Sequence, residues 1–231
     1  MRLTVISTGS QSGNCYSLTA DDGRILLLDA GCRWKSLQVG IDFRYDLVDG
    51  CLVTHSHRDH MECVKQLIRN GMDCYGAYEL CTPLKERAWK TIGKWHVLPF
   101  PVKHTNADEN TECPCLAFII KRDGETILYM TDWMYCGYNL SPFRINHFLI
   151  AVNHTDIPDA ENKRHILFGH SSLDTVKDFL LTNMTLDVKT ITACHLSDMN
   201  ADKDRILQEL TDIAPSIVKV SIAKKGMVIE F

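Results

Sequence analysis

The sequence predicts an α/β fold, a four-layer αββα sandwich with two sheets packed face to face and helices outside. Two observations predict it. Strands with few helices fill the first third of the chain, and strands mixed with helices fill the rest. That succession belongs to layered sheets covered by helices. In addition, His55, Asp132 and His195 each stand just past an apolar strand, so chemistry-bearing side chains gather at one edge where strand ends meet. The length of 231 residues predicts one domain over residues 1–231, large enough to bury a sizeable core.

The elements follow in order. Residues 3–7 read as a strand, Gly9-Ser10-Gln11-Ser12-Gly13 as a turn cluster and residues 15–19 as a second strand. Asp21-Asp22-Gly23 turns the chain into a third strand, 24–29, which ends at Ala30-Gly31. A short apolar strand, 51–54, runs straight into His55. Apolar Cys63, Val64, Leu67 and Ile68 have helical spacing within 61–70, and Gly71 stops that helix. Strands recur at 97–100, 115–121, 126–130 and 148–152, with Asp123-Gly124 as a hairpin turn. A helix at 173–181, a strand at 190–194 and a helix at 202–213 follow. Residues 217–223 and 226–231 look like a closing hairpin.

The net charge of −4 argues against a protein that lives on long nucleic acid, which needs a basic face. No apolar run has the length of a membrane span, and the start of the chain is too quickly polar for a secretory signal. The 10 cysteines are scattered without a CxxC pair, so they read as free buried thiols in a reducing cytoplasm. Cys113-Pro114-Cys115 reads as a strand entry.

The strongest chemical signal is His55-Ser56-His57-Arg58-Asp59-His60, between a strand and a helix. Imidazole and carboxylate together suit zinc, manganese or iron. One mononuclear site has no use for four ligands from so short a loop, whereas two adjacent sites do. The alternative, a solvated histidine-rich loop, does not account for the spacing or the strand-to-helix setting.

This HxHxDH pattern resembles the signature of the metallo-β-lactamase superfamily. The later ligands which that family expects have counterparts in His104, Asp132 and His195, each after a strand and in the right order. The resemblance implies a first metal on His55, His57 and His104, and a second on Asp59, His60 and His195. It implies that Asp132 bridges them together with a hydroxide, and that the ions are two divalent cations, Zn²⁺ or Mn²⁺. Thr8 to Tyr16, Leu28-Asp29-Ala30-Gly31, Asn153-His154, Gly169-His170-Ser171 and His195-Leu196-Ser197 resemble the YycJ/WalJ-type hydrolases over almost the whole chain. His170-Ser171-Ser172 is also similar to an element of RNase Z-type phosphodiesterases, in which a histidine stabilises charge or protonates the leaving oxygen. By that likeness His170 is catalytic, with Asp59, Asp132 and His154 as further catalytic candidates. Ala151, Thr105 and Met199 depart from the pattern and leave substrate identity open.

His96, His147 and His165 match no motif and read as surface or satisfied histidines. Trp133 follows a ligand position and reads as core or pocket wall. Lys103, Lys121, Arg122, Arg144, Lys163 and Arg164 are the residues a fold would have to gather to make a basic face. The resemblance implies a phosphodiesterase acting on nucleic-acid ends or small or cyclic nucleotides, with no membrane partner. Two other readings stand beside it: a hydrolase of carboxylic esters, lactones or thioesters on the same centre, and a non-catalytic metal-binding partner protein. Monomer or homodimer is not fixed by the sequence.

Overall fold

The computed structural model describes residues 1–106, 111–156 and 169–231. Thirteen strands form two mixed sheets among the described residues. The first sheet has the order β13-β1-β2-β3-β4-β5. Its strands are β1 (Arg2–Ser7), β2 (Cys15–Thr19), β3 (Ile25–Leu28), β4 (Val48–Val53), β5 (Cys74–Gly76) and β13 (Val228–Glu230). The second has the order β12-β11-β10-β9-β8-β7-β6. It comprises β6 (Lys90–Ile92), β7 (Trp95–Val102), β8 (Cys115–Arg122), β9 (Glu125–Met130), β10 (His147–Ala151), β11 (Thr190–Cys194) and β12 (Lys219–Ile222). By contact the chain divides into two compact units. One holds residues 1–100, 120–124 and 223–231, and the other residues 101–119 and 125–222.

In the first unit, β1 to β3 are antiparallel, and β4 and β5 continue parallel to β3. All four residues of β3 are buried, and so are the last four of β4. Burial on both faces is why these segments are continuous apolar runs rather than alternating ones. Helix α1 (Trp34–Gly40) packs against β1. Six of the ten cysteines (Cys15, Cys32, Cys51, Cys63, Cys74 and Cys81) meet in this unit's core. All ten are free thiols.

Where the sequence predicts one helix over 61–70, the chain forms two short pieces, α2 (Arg58–Met61) and α3 (Val64–Arg69). The break has a local cause. The Cys63 N–H leaves the helical ladder and donates to Ala30 O at 2.7 Å, tying the loop to the end of β3. The expected closing hairpin is also corrected. β12 joins the second sheet, parallel to β11, whereas β13 pairs antiparallel with β1 in the first. A helix stands before β12, so that strand arrives by a crossover, and crossovers give parallel neighbours.

The second unit is built on the parallel run β9-β10-β11-β12. Helix α4 (Leu173–Asn183) buries Leu173, Val176, Phe179 and Leu180 at helical spacing, and the Ser172 side chain caps it by accepting from Thr175 N at 3.1 Å. In α5 (Lys203–Ile213), Ile206 and Leu210 are buried, and Asp202 caps the helix by accepting from Arg205 N at 3.0 Å. This helix packs on β12 and α4. No helix among the described residues is long and apolar enough to cross a membrane.

His147 at the start of β10 is one of the satisfied histidines. Its Nδ1 lies 2.9 Å from Thr190 Oγ1 and its Nε2 3.0 Å from Glu125. Burial pushes its pKa down to about 4 in spite of that carboxylate. Between the ordinary histidine pKa of about 6.5 and about 4, the unfolded chain therefore takes up a proton that the folded chain refuses. Stability is expected to fall with pH across that window, by on the order of 1–3 kcal/mol from this group. Denaturant unfolding of wild type and His147→Gln between pH 7 and 4 checks it. Equal pH slopes would show that another group carries the effect.

Candidate metal centre

The carboxyl ends of parallel strands position the chemistry, as is usual for α/β sheets. In the first unit, Leu28 pairs with Leu52 across β3 and β4, so Asp29 and Thr54-His55 leave the sheet as neighbours. Asp29 is fully buried and holds a left-handed backbone with φ of 55°. Its carboxylate accepts from Thr54 N at 2.8 Å, from the Thr54 hydroxyl at 3.0 Å and from His60 Nδ1 at 2.7 Å. That last bond fixes the His60 tautomer and leaves Nε2 facing Asp59 Oδ2 at 3.3 Å. The His55 ring stands 4.5 Å from that of His57 and 4.2 Å from that of His60. All four motif residues thus come together in one unit.

Gly13-Asn14, at the end of the glycine-rich turn, and Ala30-Gly31 brace this loop. Asn14 N donates to Asp59 O at 2.7 Å, Gly31 N to Asn14 O at 2.9 Å and Ala30 N to His60 O at 2.8 Å. Three backbones meet without room for side chains. A Cβ on Gly13, where φ is 78°, would lie 1.8 Å from Gly31 O, and one on Gly31 would lie 1.6 Å from Asp59 O.

In the second unit, Asp132 follows β9 and His195 follows β11, both buried, with φ of 29° and 51°. Such conformations cost roughly 1–3 kcal/mol and collect at functional sites. The two oxygens of Asp132 serve different histidines. Oδ1 lies 2.8 Å from His170 Nδ1, and Oδ2 lies 3.2 Å from His195 Nε2. His104 donates from Nδ1 to Gly169 O at 2.6 Å, which leaves its Nε2 for a ligand. His104, Asp132 and His170 each offer a donor atom within 4.8 Å of the others. His154 is buried as well, and burial, followed by the nearby His170, pushes its imidazole below the ordinary range. Its carbonyl accepts from Leu173 N at 2.9 Å, at the start of α4.

Trp133 is core: it is buried, donates to Ala151 O at 3.4 Å and packs edge-on against Phe179. Two of the residues that might have made a basic face are committed elsewhere. Arg122 is buried under Trp95 and pairs with Asp22, and Arg144 pairs with Asp187. Lys163, Arg164 and His165 lie outside the described residues.

The chain resembles the exodeoxyribonuclease WalJ of Streptococcus pneumoniae, in strains D39 and R6 alike. It is 26% identical over 235 residues, covering 88% of this chain and 84% of the relative. No family model matches. Among solved structures, the metallo-β-lactamase fold protein YhfI from Bacillus subtilis superposes with a TM-score of 0.75 over 99% of both chains, at 18% identity. The chain has the metallo-β-lactamase fold. Zn²⁺-bound PqqB from Methylobacterium extorquens shares it, with a TM-score of 0.73 over 100% of both chains at 11% identity. The αββα sandwich expected from the sequence is therefore the observed class.

The donors of this metallo-β-lactamase-fold chain fit metal ions. Bonds of about 2.0–2.1 Å from zinc to nitrogen or oxygen put neighbouring tetrahedral ligands about 3.3–3.4 Å apart. His60 Nε2 and Asp59 Oδ2 at 3.3 Å match that edge, and so do His195 Nε2 and Asp132 Oδ2 at 3.2 Å. Histidine nitrogen and carboxylate oxygen suit zinc and manganese alike. Fold and donor set together fit a metal-binding centre.

Sequence reasoning placed Asp29 in a motif but gave it no role. The signal was an acidic residue at a strand end just before Ala-Gly. Asp29→Asn is expected to weaken metal affinity by about 10–100-fold, the usual effect of losing a partner behind a ligating histidine. Titration of metal-loaded protein with a chelator checks this, and unchanged affinity would reduce Asp29 to a loop anchor.

Proposed function

We propose that the protein is a phosphodiesterase that uses two divalent ions, Zn²⁺ or Mn²⁺, on nucleic-acid ends or small nucleotides. The assignment puts one ion on His55, His57 and His104 and the other on Asp59, His60 and His195, with Asp132 between them. When bound, such ions supply Lewis-acid charge and a nucleophile at neutral pH. The observation that carries the choice of bond is His170. It stands against Asp132 at 2.8 Å, beside the His104 and His195 rings at 5.3 and 5.8 Å. An imidazole there can stabilise charge or protonate the leaving oxygen, the role that the likeness of His170-Ser171-Ser172 to the RNase Z-type phosphodiesterases implies for it. The similarity to a protein named as an exodeoxyribonuclease supports the same bond. The ten free thiols suit a reducing cytoplasm.

The test is a hydrolysis panel with Zn²⁺- or Mn²⁺-loaded protein. It contains bis-p-nitrophenyl phosphate, cyclic mononucleotides, short single-stranded DNA, RNA, closed circular duplex DNA and a lactone. The expected result is cleavage of the diesters and short strands, abolished by a chelator and restored by metal. Lactone hydrolysis with every diester untouched would overturn the proposal. Efficient nicking of the closed circle with the small substrates untouched would overturn the preference for ends and small substrates.

A further inference from the structure

A groove of about 630 Å³ opens beside the HxHxDH loop, within the size range of ligand sites, roughly 300–1,000 Å³. It lies wholly in the first unit. Its walls include the Asp59 carboxylate, hydroxyl-bearing Ser10, Ser12 and Ser36, and the cations Arg33 and Lys225. Arg58 and Glu62 also line it and are committed to each other. Arg33 and Lys225 are exposed and hold no ion pair among the described residues. A second recess of about 410 Å³ shares Arg33, Ser36 and Lys225 with the first. Beyond those three its walls are mainly apolar, with Val5, Ile6 and Val39, and Lys35 adds a further cation.

One groove therefore holds a carboxylate of the HxHxDH loop, hydroxyls and two cations, and it shares those cations with a mainly apolar recess. A nucleic-acid strand offers matching groups: a phosphate to be cut, a sugar, a further phosphate and a nucleoside body. We propose that this groove binds the strand beyond the scissile bond, with a second backbone phosphate between Arg33 and Lys225 and the adjoining nucleoside in the apolar recess. The proposal rests on the phosphodiesterase reading and narrows it, because a cyclic mononucleotide has one phosphate and cannot reach the second position. It also reconciles a chain of net charge −4 with a polyanionic substrate. The positive charge needed is local, two side chains beside the loop, rather than a basic face.

Lys225 has a built-in control in Lys224, which is also exposed but does not line the groove. The experiment measures binding of a fluorescent five-nucleotide phosphorothioate strand to the metal-loaded protein, across a range of salt concentrations. Arg33→Gln and Lys225→Gln are each expected to weaken binding roughly three- to fivefold. Each should also lower the slope of log affinity against log salt by about 0.7, the signature of one lost phosphate contact on a single strand. Lys224→Gln should change neither. Equal behaviour of the Lys225 and Lys224 variants would overturn the proposal, and so would a wild type that does not bind the strand. Pyrophosphate competing as well as the strand would overturn it too, leaving a general anion site. Failure of the phosphodiesterase reading looks different: the strand binds with the expected charge dependence, yet no diester is hydrolysed.

Discussion

Asp132→Asn is expected to remove hydrolysis by more than about 10³-fold, beyond the 10–100-fold typical of residues behind the ligands. The reason lies in how its two oxygens are used. One faces His170 at 2.8 Å and the other His195 at 3.2 Å, so each oxygen is set against a different neighbour. An amide has one acceptor and no charge, and it cannot serve as the anionic ligand that the proposed function places between the two ions. Asparagine is the right probe for a second reason. At φ of 29° most side chains would add backbone strain, but asparagine tolerates the left-handed region nearly as aspartate does. The fold should survive, and loss of a buried carboxylate among histidines should leave thermal stability of the metal-free protein little changed. Metal analysis should show fewer bound ions than wild type. A variant that keeps its full metal content and its rate would refute the bridging role.

Much of this was legible in the sequence because the site is assembled from short local signals. HxHxDH lies within six residues, and Asp132 and His195 each end an apolar strand whose burial is readable as composition. Elements that hang on a long-range partner were harder to see. The helix predicted over 61–70 is split because Cys63 N bonds to Ala30 O, thirty-odd residues back along the chain. Nothing local distinguishes β12 and β13 from a hairpin, and only pairing with β11 and β1 separates them. β5 and β6 are three residues each, too short to show a period. Asp29 looked like the end of a strand; its grip on His60 and Thr54 appears only when β3 and β4 lie side by side. Likewise six of the ten cysteines, scattered in sequence, gather in one core, Cys15, Cys51 and Cys74 from strands β2, β4 and β5 and the other three from the segments between elements.

His170→Ala is expected to keep its bound metal and lose about 10²–10³ of the phosphodiesterase rate, the usual cost of one transition-state donor. The local structure explains why this histidine can act without holding the fold. Ser171 is anchored behind it, donating to Ala151 O at 2.9 Å, and Ser172 caps α4. Neither contact uses the imidazole. The ring is thus carried on a fixed backbone at the start of an eleven-residue helix, where free N–H groups and the helix dipole favour an anion. Removing it leaves the anchor, so unfolding temperature should hardly move. Geometry also permits a different role, since His104, Asp132 and His170 lie close enough to share an ion. The two roles separate cleanly in measurement. If His170 is a donor, metal content stays at the wild-type value while the rate on bis-p-nitrophenyl phosphate falls, and His170→Gln, which keeps an N–H, recovers part of it. If His170 is a ligand, metal content falls with the rate, and added Zn²⁺ or Mn²⁺ restores some activity to the alanine variant. A wild-type rate in His170→Ala would rule out both and leave the residue a packing element between His104 and His195.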